Sequence, residues 1–210
     1  MQKRILVGAI LLIGLGGLLA VKFNSPKPLE LESGLLFPQA YEIAPFELVD
    51  QHKQPFTNAN LQDKWSLFFI GFTFCPDVCP TTLNKLAAAY PELNQIAPLQ
   101  VVFLSVDPKR DTPDKLLTYV NFFNPEFKAV TGEHTQLFPL TRSLGLAYAM
   151  IGEGENYQVD HSAGYVLVSP QGTRVAVFKP TATLGKPPQV VNDEMISDFR
   201  KIVSQYKPSR

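Results

Sequence analysis

The chain has two cysteines, Cys75 and Cys79, in Phe72-Thr73-Phe74-Cys75-Pro76-Asp77-Val78-Cys79-Pro80. An apolar run, Leu67-Phe68-Phe69-Ile70, precedes them, and a helical pattern from Thr81 follows. Two thiols at a strand-to-helix junction can exchange electrons as a disulfide or grip a soft metal ion. A helix N-terminus offers unpaired N–H groups and the positive end of a dipole, and both favour thiolate over thiol. At positions i and i+4 of a helical turn the two sulfurs share one face. Pro76 and Pro80 stiffen that turn. Asp77, between the cysteines, reads as a solvated or capping acid.

A purely structural disulfide here would close a loop of five residues. Its entropic gain is about 2 kcal/mol, small beside that of a long crosslink. As a metal site the pair is incomplete. Zinc asks for four ligands, and the chain has no third cysteine. Copper(I) is soft and satisfied by two sulfurs and one imidazole. Of the three histidines, His52 lies in a polar turn and reads as solvated. His134 follows Thr131-Gly132-Glu133 at a helix start and is similarly unremarkable. His161 lies in Asp160-His161-Ser162-Ala163-Gly164, immediately before the apolar run Tyr165 to Val168. Asp160 beside it can orient an imidazole. Position alone leaves His161 balanced between a ligand and a packed histidine.

The elements that must position these groups follow from apolar patterning. Phe46 to Val49 reads as a strand turning through Asp50-Gln51-His52-Lys53 into Pro55-Phe56. Trp65 to Phe72 and Leu99 to Val106 are too apolar to alternate, so both are strands covered on two faces. Thr81 to Ile96 has amphipathic spacing, with Pro91 set to kink or split it. Thr112-Pro113-Asp114 starts a helix reaching about Phe123. Ala129 to Thr131 is a short strand, and Gln136 to Leu144 a helix despite Pro139. Tyr165 to Val168 and Val175 to Phe178 flank a Ser-Pro-Gln-Gly turn as a hairpin, and Asp193 to Tyr206 closes the chain as a helix. This order predicts an α/β fold, a central sheet with helices on both faces in the thioredoxin-like arrangement. In such a sheet the loop holding His161 faces the cysteine pair.

The chain has 210 residues with no net formal charge, enough for one domain with a real core and an extra segment. That segment is at the front. After Met1-Gln2-Lys3-Arg4, Ile5 to Val21 runs 17 residues without a charge, roughly 26 Å of helix. This predicts a single-pass membrane anchor over residues 1–23, with a cleaved signal peptide as the other reading. Lys3 and Arg4 keep the N-terminus in the cytoplasm, so the rest is exported. The immediate start of the apolar run points to the bacterial inner membrane, with the domain on the periplasmic side. Residues 24–40, with Pro26, Pro28 and Gly34, read as an extended tether, and 41–208 as the folded domain. Without Lys3, Arg4 and Lys22, 16 basic residues face 19 acidic ones. That balance excludes nucleic acid as a partner class.

Gly71 to Leu83, with its two cysteines, resembles the signature of the Sco/SenC family of copper-binding assembly proteins. Two further stretches agree, Ser105-Val106-Asp107-Pro108-Lys109-Arg110-Asp111-Thr112-Pro113 and Asp160-His161-Ser162. The resemblance runs from about Phe46 to Tyr206. It implies copper, as Cu(I) or Cu(II), held by Cys75, Cys79 and His161, and delivery to the dinuclear copper site of a copper-accepting cytochrome c oxidase subunit. The copper donor and the thiol reductant are not implied. Asp77 and Asp160 would stand behind the ligands, and Asp107 to Asp111 would be a structural loop with internal ion pairing. Phe74 departs from relatives that carry a polar residue there. A thiol–disulfide oxidoreductase is the second reading, although three residues rather than two separate the cysteines and no proline occurs from Tyr157 to Ser169. A tethered binding module with a structural disulfide is the third. A peroxidase is excluded by Phe72 and Pro76, which stand where peroxiredoxins place threonine.

Overall fold

Strands too apolar to have a wet face must lie inside a sheet, and Trp65–Gly71 (β4) and Leu99–Ser105 (β5) are buried along their whole length. The computed structural model describes residues 29–206 except 153, 155, 156, 184 and 185. The proposed anchor over 1–23 lies outside the described residues. Among the described residues no helix is long and apolar enough to cross a membrane.

Before β4 come β1 (Gly34–Glu42), β2 (Glu47–Asp50) and β3 (Pro55–Thr57). β4 leads through α1 (Val78–Ile96) to β5, then through α2 (Pro113–Phe123) to β6 (Lys128–Thr131). These are two parallel crossovers, each long enough to need its helix. Then follow α3 (His134–Leu144), β7 (Tyr148–Ile151), β8 (Gln158–His161), β9 (Tyr165–Val168), β10 (Thr173–Phe178), β11 (Thr181–Thr183), β12 (Lys186–Gln189) and α4 (Asn192–Gln205). The main sheet has eight strands in the order β1-β10-β9-β4-β5-β6-β2-β3, while β7–β8 and β11–β12 form separate two-stranded ribbons.

Alternation along the central strands sorts the core into two layers. Phe68, Ile70, Val102, Leu104, Val166 and Val168 pack with Leu137, Leu140 and Leu144 of α3. On the other face Phe69 stacks on Phe103, Phe103 meets Tyr119 of α2, and Trp65 meets Phe199 of α4. The predicted central sheet with helices on both faces is present. Pro91 does not split α1, which continues to Ile96.

One expectation needs correction, and one element has no sequence signal. The stretch read as a tether contributes β1, which pairs antiparallel with β10 at the sheet edge. Most β1 side chains are exposed and Pro38 falls inside a register break, so the segment lacks a strand-like pattern. Secondly, β7–β8 was not foreseen, because two four-residue strands of mixed polarity carry little periodic signal.

A buried carboxylate fastens the entry to β1. Asp198 of α4, with no exposed surface, accepts the N–H groups of Glu32, Ser33 and Gly34 at 2.8–3.0 Å. Burial works against its charge, but these donors and Lys201 outweigh it and hold the carboxyl below the usual range. A depressed carboxyl stabilises the fold above its unfolded value of about 4 and loses that contribution as pH falls through its folded value. Asp198→Ala is expected to cost about 2–4 kcal/mol. The gap between native protein and variant should narrow below about pH 4. Urea unfolding at pH 7 and pH 3 tests this, and a gap as wide at pH 3 as at pH 7 contradicts it.

Candidate metal centre

The site lies beyond the carboxyl ends of β4 and β5, where open α/β sheets gather their functional loops. β4 ends at Gly71, paired with Ser105 of β5. A side chain at Gly71 would have no room, because a Cβ there would come within 2.8 Å of both Cys79 Sγ and the Phe103 ring. Glycine lets the sulfur sit directly against the strand end.

The cysteines are not both helical, contrary to the sequence reading. Cys79 is in the first turn of α1 and fully buried, whereas Cys75 lies in the turn before it and is half-buried. They still converge, because the Cys79 N–H donates to Cys75 Sγ at 3.4 Å. Asp77 occupies the cap position without a side-chain bond to the helix backbone. It is exposed, and among the described residues its carboxylate accepts only from the Thr81 hydroxyl, so it is the solvated acid rather than a cap.

Asp111 holds the cysteine turn from below. This carboxylate is fully buried and accepts the Thr73 N–H at 2.8 Å, the Thr73 hydroxyl at 2.6 Å and the Ser105 hydroxyl at 2.7 Å. The expected ion pairing of this loop is present between Asp107 and Arg110. Its tie to Thr73 across 38 residues had no signature in the sequence.

His161 ends β8 and points its Nε2 at Cys79 Sγ, 3.7 Å away. Phe69 and Phe72 meet its ring nearly at right angles. Its Nδ1 lies 3.0 Å from the Ser162 carbonyl oxygen, which accepts the ring proton when it sits there. The orienting group is therefore a backbone carbonyl, not the Asp160 carboxylate, whose residue is exposed. His52 is exposed in the β2–β3 turn, and His134 bonds the Tyr148 hydroxyl at 2.9 Å. Phe74 is 59% exposed with the Lys115 ammonium 3.9 Å from its ring centre.

Cys75, Cys79 and His161 thus bring two sulfurs and one ring nitrogen within 4.8 Å of one another. Among the described residues no other group of three or more His, Cys, Asp or Glu side chains could hold a metal ion. A first-row ion about 2.0–2.3 Å from each of three coplanar donors spaces them about 3.7–4.0 Å apart. The donor set fits a soft ion content with three ligands. A cavity of about 480 Å³, lined by Phe72, Phe74, Cys75, Arg110, Tyr157 and His161, opens beside it.

Both thiols are free, and their environments push them apart. The hydrogen bond from Cys79, with help from His161 and the Cys79 and Asp77 N–H groups, carries Cys75 down to about 3 despite burial. The same bond and deeper burial push Cys79 well up. The pair rests as one thiolate receiving a proton bond from one thiol.

A thioredoxin-like sheet carrying two thiols and an imidazole beyond its strand ends defines a class of thiol and soft-metal proteins. Residues 37–195 match the SCO1/SenC family model, and the chain belongs to that family. The SCO2-like protein of Rickettsia prowazekii is 36% identical over 184 residues, covering 83% of this chain and 88% of that protein. The crystal structure of Arabidopsis thaliana ScoI with copper bound is 32% identical, with a TM-score of 0.67 over 78% of this chain and 99% of that one. BsSco, described as a Sco-family cytochrome c oxidase assembly protein with a disulfide switch, shares the fold at 21% identity. Its TM-score is 0.61 over 82% of this chain and 99% of its own.

The unequal thiols give an expected outcome. At pH 5 Cys75 is ionised and Cys79 protonated, so iodoacetamide should label Cys75 about tenfold faster or more. Peptide mass spectrometry reads the ratio, and equal labelling would sink the assignment.

Proposed function

We propose that this chain is a copper metallochaperone, binding copper through Cys75, Cys79 and His161 and passing it to the copper-accepting subunit of cytochrome c oxidase. The observation that carries this reading is the meeting of His161 with two sulfurs that lie 82 and 86 residues away in the chain. Copper-bound ScoI and the family's association with oxidase assembly support it. Copper is cargo here, and the site suits a cargo. Three donors hold a soft ion, yet Cys75 and His161 are only half-buried and border the open cavity. An incoming sulfur or imidazole can replace them one at a time, so the ion is never released to water. Loading Cys79 needs loss of its proton, and Cys75 stands ionised as the first donor.

The location belongs to the proposal. Residues 1–23 would anchor the chain in the bacterial inner membrane, with the domain on the periplasmic side. Thiols in such a compartment need a reductant. The thiolate–thiol pair also favours a second reading, reduction of a partner's disulfide. In that reaction two electrons pass to the target as Cys75 and Cys79 join.

Reduced protein is expected to take one copper per chain. His161→Ala should weaken Cu(I) retention by about tenfold or more while leaving the fold intact. Competition with a chromophoric Cu(I) chelator and a thermal melt measure both, and unchanged retention contradicts the ligand assignment. Protein oxidised to a Cys75–Cys79 disulfide should take up no copper. Metal analysis after blocking residual thiols tests this, and full loading would exclude the sulfurs as donors.

A further inference from the structure

His161 sits on a ribbon outside the hydrogen-bond ladder of the main sheet, since β7 and β8 pair only with each other. A two-stranded ribbon is marginal alone, so contacts elsewhere must fix the direction of its side chains. Along it Tyr157, Val159 and His161 are covered, while Gln158 and Asp160 are exposed. The covered residues share a face: Val159 packs into the core layer of Phe68 and Ile70, and what holds Tyr157 at the start of the ribbon further restricts the rotation that aims His161.

Tyr157 is held firmly. Its hydroxyl donates to Asp107 Oδ1, and Arg110 Nε donates to Oδ2 of the same carboxylate. Arg110 Nη1 donates to the Tyr157 carbonyl at 3.1 Å, and the guanidinium lies 3.9 Å from the ring centre. Asp107 is fully buried, and a buried carboxylate persists only where both oxygens are served. Carboxylate, guanidinium and phenol close a ring that fastens the ribbon to the loop after β5. Four residues further along that loop, Asp111 grips the cysteine turn.

We infer that Asp107, Arg110 and Tyr157 are positioning residues, a clasp that sets His161 over the sulfurs and governs how long copper is retained. This rests on the copper reading above, and it adds a control point outside the three ligands. Loosening the clasp widens the range of the imidazole and speeds release without removing a donor.

The test uses Tyr157→Phe, with Arg110→Lys as a second variant should the first fold poorly. Transfer of Cu(I) to a chromophoric chelator is expected to run about tenfold faster than in the native protein. In a His161→Ala background the same substitution should change nothing, because the clasp acts through that ring. In metal-free protein, amide hydrogen exchange should quicken across β7 and β8 and stay unchanged in β4 and α1. Native release rates with unaltered exchange overturn the clasp, as does an effect of equal size without His161. Native protein that binds no copper, with exchange still faster in the variant, would overturn the function and leave the clasp standing.

Discussion

Two side chains 82 residues apart can meet only if the strands that deliver them are neighbours. Here β4 lies between β5, parallel to it, and β9, antiparallel to it. The chain leaving β4 and the chain entering β9 therefore occupy the same end of the sheet. Phe69 pairs with Tyr165 and Gly71 with Ser105, which puts the cysteine turn, the loop carrying Asp111 and the segment carrying His161 side by side. Slip the β4–β9 register by one residue and the side chains of β9 would change faces, taking Tyr165 away from Phe69.

On this frame the chemistry is set by how unlike the two sulfurs are. Cys79 is sealed between the strand end and α1, where charge is costly, while Cys75 sits in a turn that offers it hydrogen-bond donors. Neither sulfur alone would be unusual. Their contact lets one hold the proton the other has given up, and the apolar wall of Phe69 and Phe72 keeps the imidazole beside them.

The sequence carried the central strands, because runs such as Leu67 to Ile70 have no polar position and can lie only inside a sheet. It carried α2 through Thr112 and Pro113, whose cap is formed as expected. Three local motifs in order single out Cys75, Cys79 and His161, which the fold brings together. What stayed hidden is long-range or backbone-made. No pattern links Thr73 to Asp111 or Tyr157 to Asp107, since such pairs are chosen by the fold rather than by spacing. The Ser162 carbonyl that orients His161 has no residue type to read, so the adjacent Asp160 was credited in its place. Edge strand β1, largely exposed and broken at Pro38, looks like linker until its partner is known.

The prolines at the two margins of the main sheet have a consequence of their own. β1 carries Pro38 within a register break, and β3 is three residues long and opens on Pro55. A missing N–H and an irregular rim deny a foreign strand a ladder on which to grow. Stacking of copies margin to margin is disfavoured at both ends.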